Sequence, residues 1–393
     1  MRNRVKRKER IIVEMRLTAS LLVILIIFCM CGCSKLQQSS IDQSKINDDN
    51  AYKIAVAAPQ FGPYQALGFS IVNGAQLAVD LKNQSGGIDG KKIKLITVDD
   101  GGLAGEGTWR ARSLVDEMVL GVIGHLNSDI SIPASEIYSK AMIPEISPGS
   151  TSAFFTERKP VKGYVFRTIG RDDQQGELSA RFALSQNFKK IAVLYNNRGY
   201  GESLASEFVR QIGSAKESEV VFYEMYKVGT GDFLKEIYNL KTKLPDLVFF
   251  VGEYGDAAKF LKQLRNTGLK TAFLGSEGVF DQEFINSAKG HSERALVISL
   301  PEVKDKKFLE DYKNKFGKDL GSYSANSFDA TNILISAIEK VKEKNPDKIA
   351  RAVRETKDFP GLTGNISFNE KGDLVDPKFS IYVVKNGMFV TVQ

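Results

Sequence analysis

The chain is poor in the residues that make proteins reactive or cross-linked. It has three cysteines, Cys29, Cys31 and Cys33, and all of them sit near its beginning. The remainder therefore holds no disulfide, no thiol nucleophile and no cysteine metal site. Stability there must come from an apolar core, which a chain of this length readily supplies. Histidine is almost as scarce: His125 and His291 are the only two, without the spacing of a ligand pair. No Walker loop, no GxSxG elbow and no HExxH occurs, which argues against nucleotide, acyl-transfer and zinc-hydrolase chemistry. Neither an enzyme nor a cofactor is expected. A basic face is missing too. Of the formal +7, residues 1–32 contribute seven Lys/Arg against Glu9 and Glu14, and without them the balance falls to about +2. Nucleic acid, which needs a concentrated basic surface, is not an expected partner.

What is present begins with a legible leader. MRNRVKRKER is strongly basic, and Leu17 to Met30 is apolar apart from Thr18 and Ser20. That is the pattern of a secretory signal. The run is shorter than the roughly 20 residues that cross a bilayer, which favours a signal over a permanent helix. Met30-Cys31-Gly32-Cys33 resembles the bacterial lipobox, with Met30 and Cys31 where Leu and a smaller residue are usual. The resemblance implies acylation of Cys33 and removal of residues 1–32. An uncleaved anchor is the alternative and would also hold the domain outside the membrane. Met15 offers a second start, since MRLTASLLV alone opens a signal of ordinary length. Residues 33–50 are polar, lack apolar periodicity, and read as a flexible tether.

From Tyr52 onward short β-rich runs alternate with amphipathic stretches. KIAVAAP (53–59), IKLITVDD (93–100), VLGVIGHL (119–126), PEISP (144–148) and VFRTIG (165–170) read as strands with helices between them. The rhythm then repeats: KIAVLYN (190–196), VVFYEMY (220–226), LVFFVG (247–252) and TAFLG (271–275), with helices at 202–213, 232–242 and 256–267. Such alternation predicts parallel sheets covered on both faces. Two series in about 340 residues predict two α/β lobes rather than one core. The tail breaks the pattern with helices at Lys306–Gly317, Ser324–Lys344 and Asp347–Thr356, then a hairpin at 378–392 turning on Asn386-Gly387. The expected division is 51–170 plus about 301–362 for the first lobe, and 171–300 plus about 363–393 for the second.

Open α/β sheets bind ligands at the carboxyl ends of their strands. Ser128 stands there, before a helix containing Pro133, where a hydroxyl beside free N–H groups suits a carboxylate. A plain N-cap is the other reading. Ser150 and Thr151 follow PEISPG in the same relation, and the Gly149 carbonyl with the Thr151 hydroxyl suits an ammonium. Tyr200, Tyr254 and Glu277 occupy equivalent places in the second series. Packing is the alternative for the tyrosines, and a surface loop for the glutamate. His125 reads as a hydrogen-bonded strand-end residue, and Asp99-Asp100 as a solvated turn rather than a metal site.

Several stretches carry a resemblance: Gly86-Gly87-Ile88, VIGHLNSDISIPASEIY (122–138), FRTIGRDDQQG (166–176), YGESLA (200–205), GLKTAFLGSEGV (268–279) and FNEKGDL (368–374). In this order they resemble the leucine/isoleucine/valine-binding branch of the type I periplasmic binding proteins, over nearly all of 52–393. The resemblance implies two Rossmann-like lobes joined by a multi-strand hinge. It implies binding of an amino acid and delivery to an ABC permease in the membrane. The implied location is that of an exported bacterial lipoprotein facing the periplasm or the cell exterior. By the same resemblance Ser128 and Thr151 hold the ligand carboxylate, while Gly149, Thr151 and Glu277 hold its ammonium. Tyr200 and Tyr254 close over it, and Asp172 follows the first hinge strand. A sensing or assembly lipoprotein of the same fold, or a binder of a small amide or aromatic acid, is the alternative. The departures bear on specificity: Leu67 lies near the place of the family's aromatic, Asn127 replaces a half-cystine, and Asp129 and Ile130 replace small hydroxyl residues. Asn127 and Asp129 are expected to make the side-chain pocket more polar.

Overall fold

The structure, a computed structural model, describes residues 51–392. The leader, Cys33 and most of the tether lie outside the described residues. Among the described residues no helix is long and apolar enough to cross a membrane.

The first sheet is wholly parallel, in the order β2-β1-β3-β4-β5. Its strands are β1 (Tyr52–Ala58), β2 (Ile93–Asp99), β3 (Val122–Gly124), β4 (Glu145–Ser147) and β5 (Val165–Arg167). In β1 six of seven residues are buried, because helices cover both faces of the sheet and leave no polar side to alternate with. Between the strands run α1 (Gln65–Gln84), α2 (Ala104–Asp116), α3 (Ser128–Lys140) and the single turn α4 (Phe154–Glu157). β3 and β4 are shorter than the sequence suggests: the chain leaves the sheet at His125 and Pro148 to form loops.

The second sheet has seven strands, in the order β14-β13-β10-β9-β8-β6-β7. They are β6 (Lys190–Asn196), β7 (Glu219–Tyr226), β8 (Leu247–Val251), β9 (Ala272–Gly275), β10 (Leu296–Ser299), β13 (Ser380–Lys385) and β14 (Met388–Thr391). Its helices are α5 (Asp172–Ser185), α6 (Gly199–Ser214), α7 (Leu234–Lys243), α8 (Tyr254–Asn266) and α9 (Gln282–Ala288). Ala192, Leu194, Val248 and Phe250 belong to one buried cluster, and Ile191, Val193, Phe249 and Val251 to another. The period of two sends alternate residues to opposite faces, so each strand serves two cores. The parallel run ends at β10, which pairs antiparallel with β13. Asn386 and Gly387 both have positive φ, 51° and 73°, as the expected tight hairpin requires. β10 itself is absent from the sequence-based expectation.

The chain passes between the sheets three times: after β5, after β10, and before β13. After the second passage come α10 (Lys306–Phe316), α11 (Ser324–Val341), α12 (Pro346–Arg354) and a small hairpin of β11 (Phe359–Gly361) and β12 (Gly364–Ile366). α11 lies on α1, where Ser324 Oγ donates to the Ser70 carbonyl at 2.9 Å and Ser327 Oγ to that of Ile71 at 2.6 Å. The passages are tied together. Thr168 Oγ1 donates to the Asn326 carbonyl at 2.9 Å, and the Arg167 amide donates to the Gly372 carbonyl at 3.0 Å. Asp373, 2% exposed, pairs with Arg167 at 2.7 Å and Arg171 at 2.9 Å. A charge that deep is stable only with such partners. Two α/β lobes thus face each other across a braced, three-stranded hinge.

Candidate functional site

A cleft lies where the strand ends of the two sheets meet. Leu67, Leu126, Asn127, Ser128 and Gly149 line it on the first lobe. Tyr200, Glu253, Glu277 and Gly278 line it on the second, and Tyr323 closes it beside α11.

On the first lobe the floor is set by β3 and β4. Asn127 has extended backbone (φ −82°, ψ 133°) and starts α3, whose first residue is Ser128. Ser128 is 2% exposed, and its N–H has no partner within the helix. Its Oγ meets only a long 3.4 Å contact from the Ser152 amide, so it retains capacity for a ligand. The loop after β4 passes so close that a Cβ on Gly149 would lie 2.7 Å from Leu126 Cδ1 and 3.2 Å from the Leu126 carbonyl oxygen, so a larger residue would have to displace the Leu126 side chain. Ser147 Oγ pins the loop, accepting from the Ser150 amide at 2.8 Å and donating to the His125 carbonyl at 2.7 Å.

Ser150 has a different role from its neighbours. Its hydroxyl is bound to Ser131 and to the Leu126 carbonyl, and its own carbonyl accepts from Arg167 Nη1 at 2.7 Å. It braces the floor and does not line the cleft. Thr151 is fully buried, and its Oγ1 has no hydrogen-bond partner. Its carbonyl accepts from the Asp172 amide at 2.9 Å. The Asp172 carboxyl faces the hydroxyls of Ser203 and Thr151, and burial pushes its pKa up to about 6. Asp172 stands behind Thr151, one layer removed from the cleft.

The second lobe brings the acids. Glu277 opens a one-turn 3-10 helix (Glu277–Val279) after β9 and is 3% exposed. Its Oε2 accepts from the Tyr200 hydroxyl at 2.7 Å. Burial, and then the nearby Asp172 charge, raise its pKa to about 7. A buried carboxylate short of cations is poised to bind one. Tyr254 sits elsewhere: it packs against the cluster containing Phe284, with its hydroxyl against the Ala66 backbone of α1. Glu253, its neighbour, is the residue that lines the cleft. Asn196 Nδ2 donates to its Oε2 at 2.9 Å, and burial raises its pKa to about 8.

The lobes also meet directly. Arg198, just before α6, donates through Nη1 to Asp129 Oδ2 at 2.7 Å and through Nη2 to the Gly102 carbonyl at 3.0 Å. Asp129 is thereby engaged across the cleft and is not among the residues lining it, whereas Asn127 is. His125 is the hydrogen-bonded strand-end residue expected, with Nδ1 2.7 Å from Asp100 and Nε2 3.1 Å from the Tyr138 hydroxyl. Asp100 corrects the expectation of a solvated turn, because it is fully buried in this contact. Among the described residues no group of three His, Cys, Asp or Glu side chains is arranged to hold a metal.

The sequence-based reading missed Leu126, Glu253, Gly278 and Tyr323. Glu253 had the same strand-end signal as Tyr254, one residue away. Tyr323 had none, since only the return of the chain over the first lobe brings it there.

A family model described as "Periplasmic binding protein" matches residues 51–388, nearly the whole described chain. The chain belongs to the periplasmic binding protein family. Relatives extend over its length. A "Leu/Ile/Val-binding protein homolog 1" of Brucella abortus is 31% identical over 340 residues, covering 85% of this chain and 90% of the relative. The "leucine-, isoleucine-, valine-, threonine-, and alanine-binding protein" of Pseudomonas aeruginosa is 32% identical over 338 residues, covering 84% and 89%. A solved leucine binding protein, LivK, from Thermotoga maritima superposes with a TM-score of 0.81 at 26% identity, covering 87% of this chain and 98% of that one. The type I periplasmic-binding-protein fold, an exported protein and a non-enzymatic, solute-binding role follow from this membership.

Proposed function

We propose that this protein is a lipid-anchored extracytoplasmic receptor that captures an α-amino acid between its lobes and delivers it to an ABC permease. The observation that carries the reading is that Ser128 and Glu277, each from a different lobe, line one cleft. A zwitterion presents one charge to each. The start of α3, with its free N–H groups and the Ser128 hydroxyl, suits the carboxylate. Glu277, the Gly149 carbonyl and the unpartnered Thr151 Oγ1 suit the ammonium. The names of the curated relatives, a Leu/Ile/Val-binding protein homolog and a leucine-, isoleucine-, valine-, threonine-, and alanine-binding protein, favour the same ligand class.

In this mechanism the first lobe receives the ligand and rotation about the three-stranded hinge brings Glu277 and Tyr200 onto it. Closure excludes water and so strengthens the charge-assisted bonds. The ligand shifts the equilibrium because Glu277 adds contacts only in the closed form. The permease then reads that form. Cys33, acylated after cleavage, holds the receptor at the membrane through the tether.

The test is calorimetry on residues 34–393 against the standard amino acids. Binding by at least one is expected, and Glu277→Ala should weaken it a hundredfold or more with the fold retained. Unchanged binding in that variant removes Glu277 from the site. Incorporation of labelled palmitate that persists in Cys33→Ala would refute the anchor. Amino-acid uptake that is unaffected when the protein is deleted would refute delivery.

A further inference from the structure

The cleft contains more acceptors than the ends of a zwitterion can use. With Glu277 committed to the ammonium, Glu253 is a second acid in the same space, 8% exposed, on the same lobe. Among the described residues one hydrogen bond reaches its carboxylate, from Asn196 to Oε2. Across from it on the first lobe, Asn127 is 9% exposed, lines the cleft, and has a buried Oδ1 with no partner. Two buried tyrosine hydroxyls next to Glu253, of Tyr64 and Tyr226, are also without partners. Arg198, whose charge acts on Glu253, is taken by Asp129 and Gly102.

We infer that Glu253 and Asn127 form a side-chain subsite for an amino acid whose side chain donates hydrogen bonds, an amide, hydroxyl or ammonium, in preference to a branched aliphatic one. The inference rests on the proposed amino-acid reading and specifies the substrate class of the same cleft. The physical reason is asymmetric. An aliphatic group pressed against these acceptors offers no hydrogen bond to the unpartnered Asn127 Oδ1 or to the remaining capacity of the Glu253 carboxyl, whereas a donor satisfies both. The same asymmetry lets a site built for a donor reject its isostere far more strongly than an apolar pocket rejects an extra methylene. Leu67 and Leu126 supply the apolar wall along which the methylenes of such a side chain lie. The raised pKa of Glu253 fits this use, since a protonated carboxyl both donates to an amide oxygen and accepts from its nitrogen.

The experiment compares dissociation constants, by calorimetry on residues 34–393, for asparagine, glutamine, threonine and lysine against leucine, isoleucine and valine. At least one donor-bearing side chain should bind ten or more times tighter than the best aliphatic one. Glu253→Leu should erase that ratio or invert it. Should Glu253→Leu fail to fold by circular dichroism, Asn127→Ala is expected to lower the ratio at least threefold. Wild-type protein that binds leucine, isoleucine or valine best overturns the inference, as does a ratio unmoved in the folded variants. Failure of every amino acid to bind overturns the parent reading itself, and is distinguishable because no ratio then exists.

Discussion

Arg198 of the second lobe donates to Asp129 of the first at 2.7 Å, and the two side chains are only 18% and 27% exposed. The bond exists only while the lobes are together, so it acts on the closed state and not on the fold of either lobe. Arg198→Ala is expected to weaken ligand binding about threefold to thirtyfold, chiefly through faster release. Asp129→Ala should do the same, and the double variant should add little to either single one. Rapid-mixing measurements of association and release check this. Additive effects would show that the two residues act separately.

Affinity should rise with pH. Glu277 binds an ammonium only when ionised, and its pKa of about 7 leaves much of it protonated in mildly acidic solution. Affinity therefore increases from pH 6 to pH 8, and binding near pH 7 releases a proton. Calorimetry in buffers of different ionisation enthalpy measures that proton. Uptake of a proton, or none, would contradict the assignment.

The empty domain should show the opposite trend. Asp172, Glu277 and Glu253, at about 6, 7 and 8, all lie above ordinary carboxyl values, so the folded state holds protons that the unfolded chain has lost. Their stabilising contribution is fully present below about pH 4 and is lost as pH rises through 6 to 8. Melting temperature without ligand should fall by several degrees between pH 5 and pH 8, less so in Glu277→Gln. A flat profile would mean that these carboxyls are not buried as described.

The hinge depends on Asp373, buried between Arg167 and Arg171. Asp373→Ala leaves Arg167 in the interior without its counter-charge, at a cost of about 3–5 kcal/mol. Urea denaturation should report that loss, while ligand affinity of the folded fraction changes much less. A loss under about 1 kcal/mol would place the pair among ordinary surface bridges.

Thr151 offers a cleaner separation of binding from stability. Its Oγ1 is buried, faces the Asp172 carboxyl and makes no well-formed hydrogen bond, so Thr151→Val removes a hydroxyl that contributes little to the fold. Stability should be unchanged or slightly improved, with affinity for the ligand reduced about tenfold. Unaltered affinity would reassign Thr151 to packing.

The strand-end rule found the residues whose placement depends on local chain direction alone. Ser128 opens the helix that follows buried β3 and Glu277 the turn that follows β9, and both line the cleft. The rule fails by one residue at Glu253 and Tyr254, because what separates them is where β8 ends and α8 begins. The strand ends at Val251 and the helix begins at Tyr254, a two-residue step that sequence periodicity does not resolve. Asp100 was misjudged for a related reason: its partner, His125, arrives from the next strand. β10 is not legible because its antiparallel neighbour lies some eighty residues further on, and three apolar residues and a serine alone do not identify a strand.

The three passages between the lobes have a bearing on biogenesis. The first sheet is complete at Arg167, yet the helix that covers it begins at Ser324, and the second sheet waits for strands that start at Ser380. A ribosome must therefore finish almost the entire message before either half can acquire its full interior. Each half therefore keeps apolar surface uncovered until late in synthesis, which suits an exported protein better than early closure of either lobe would.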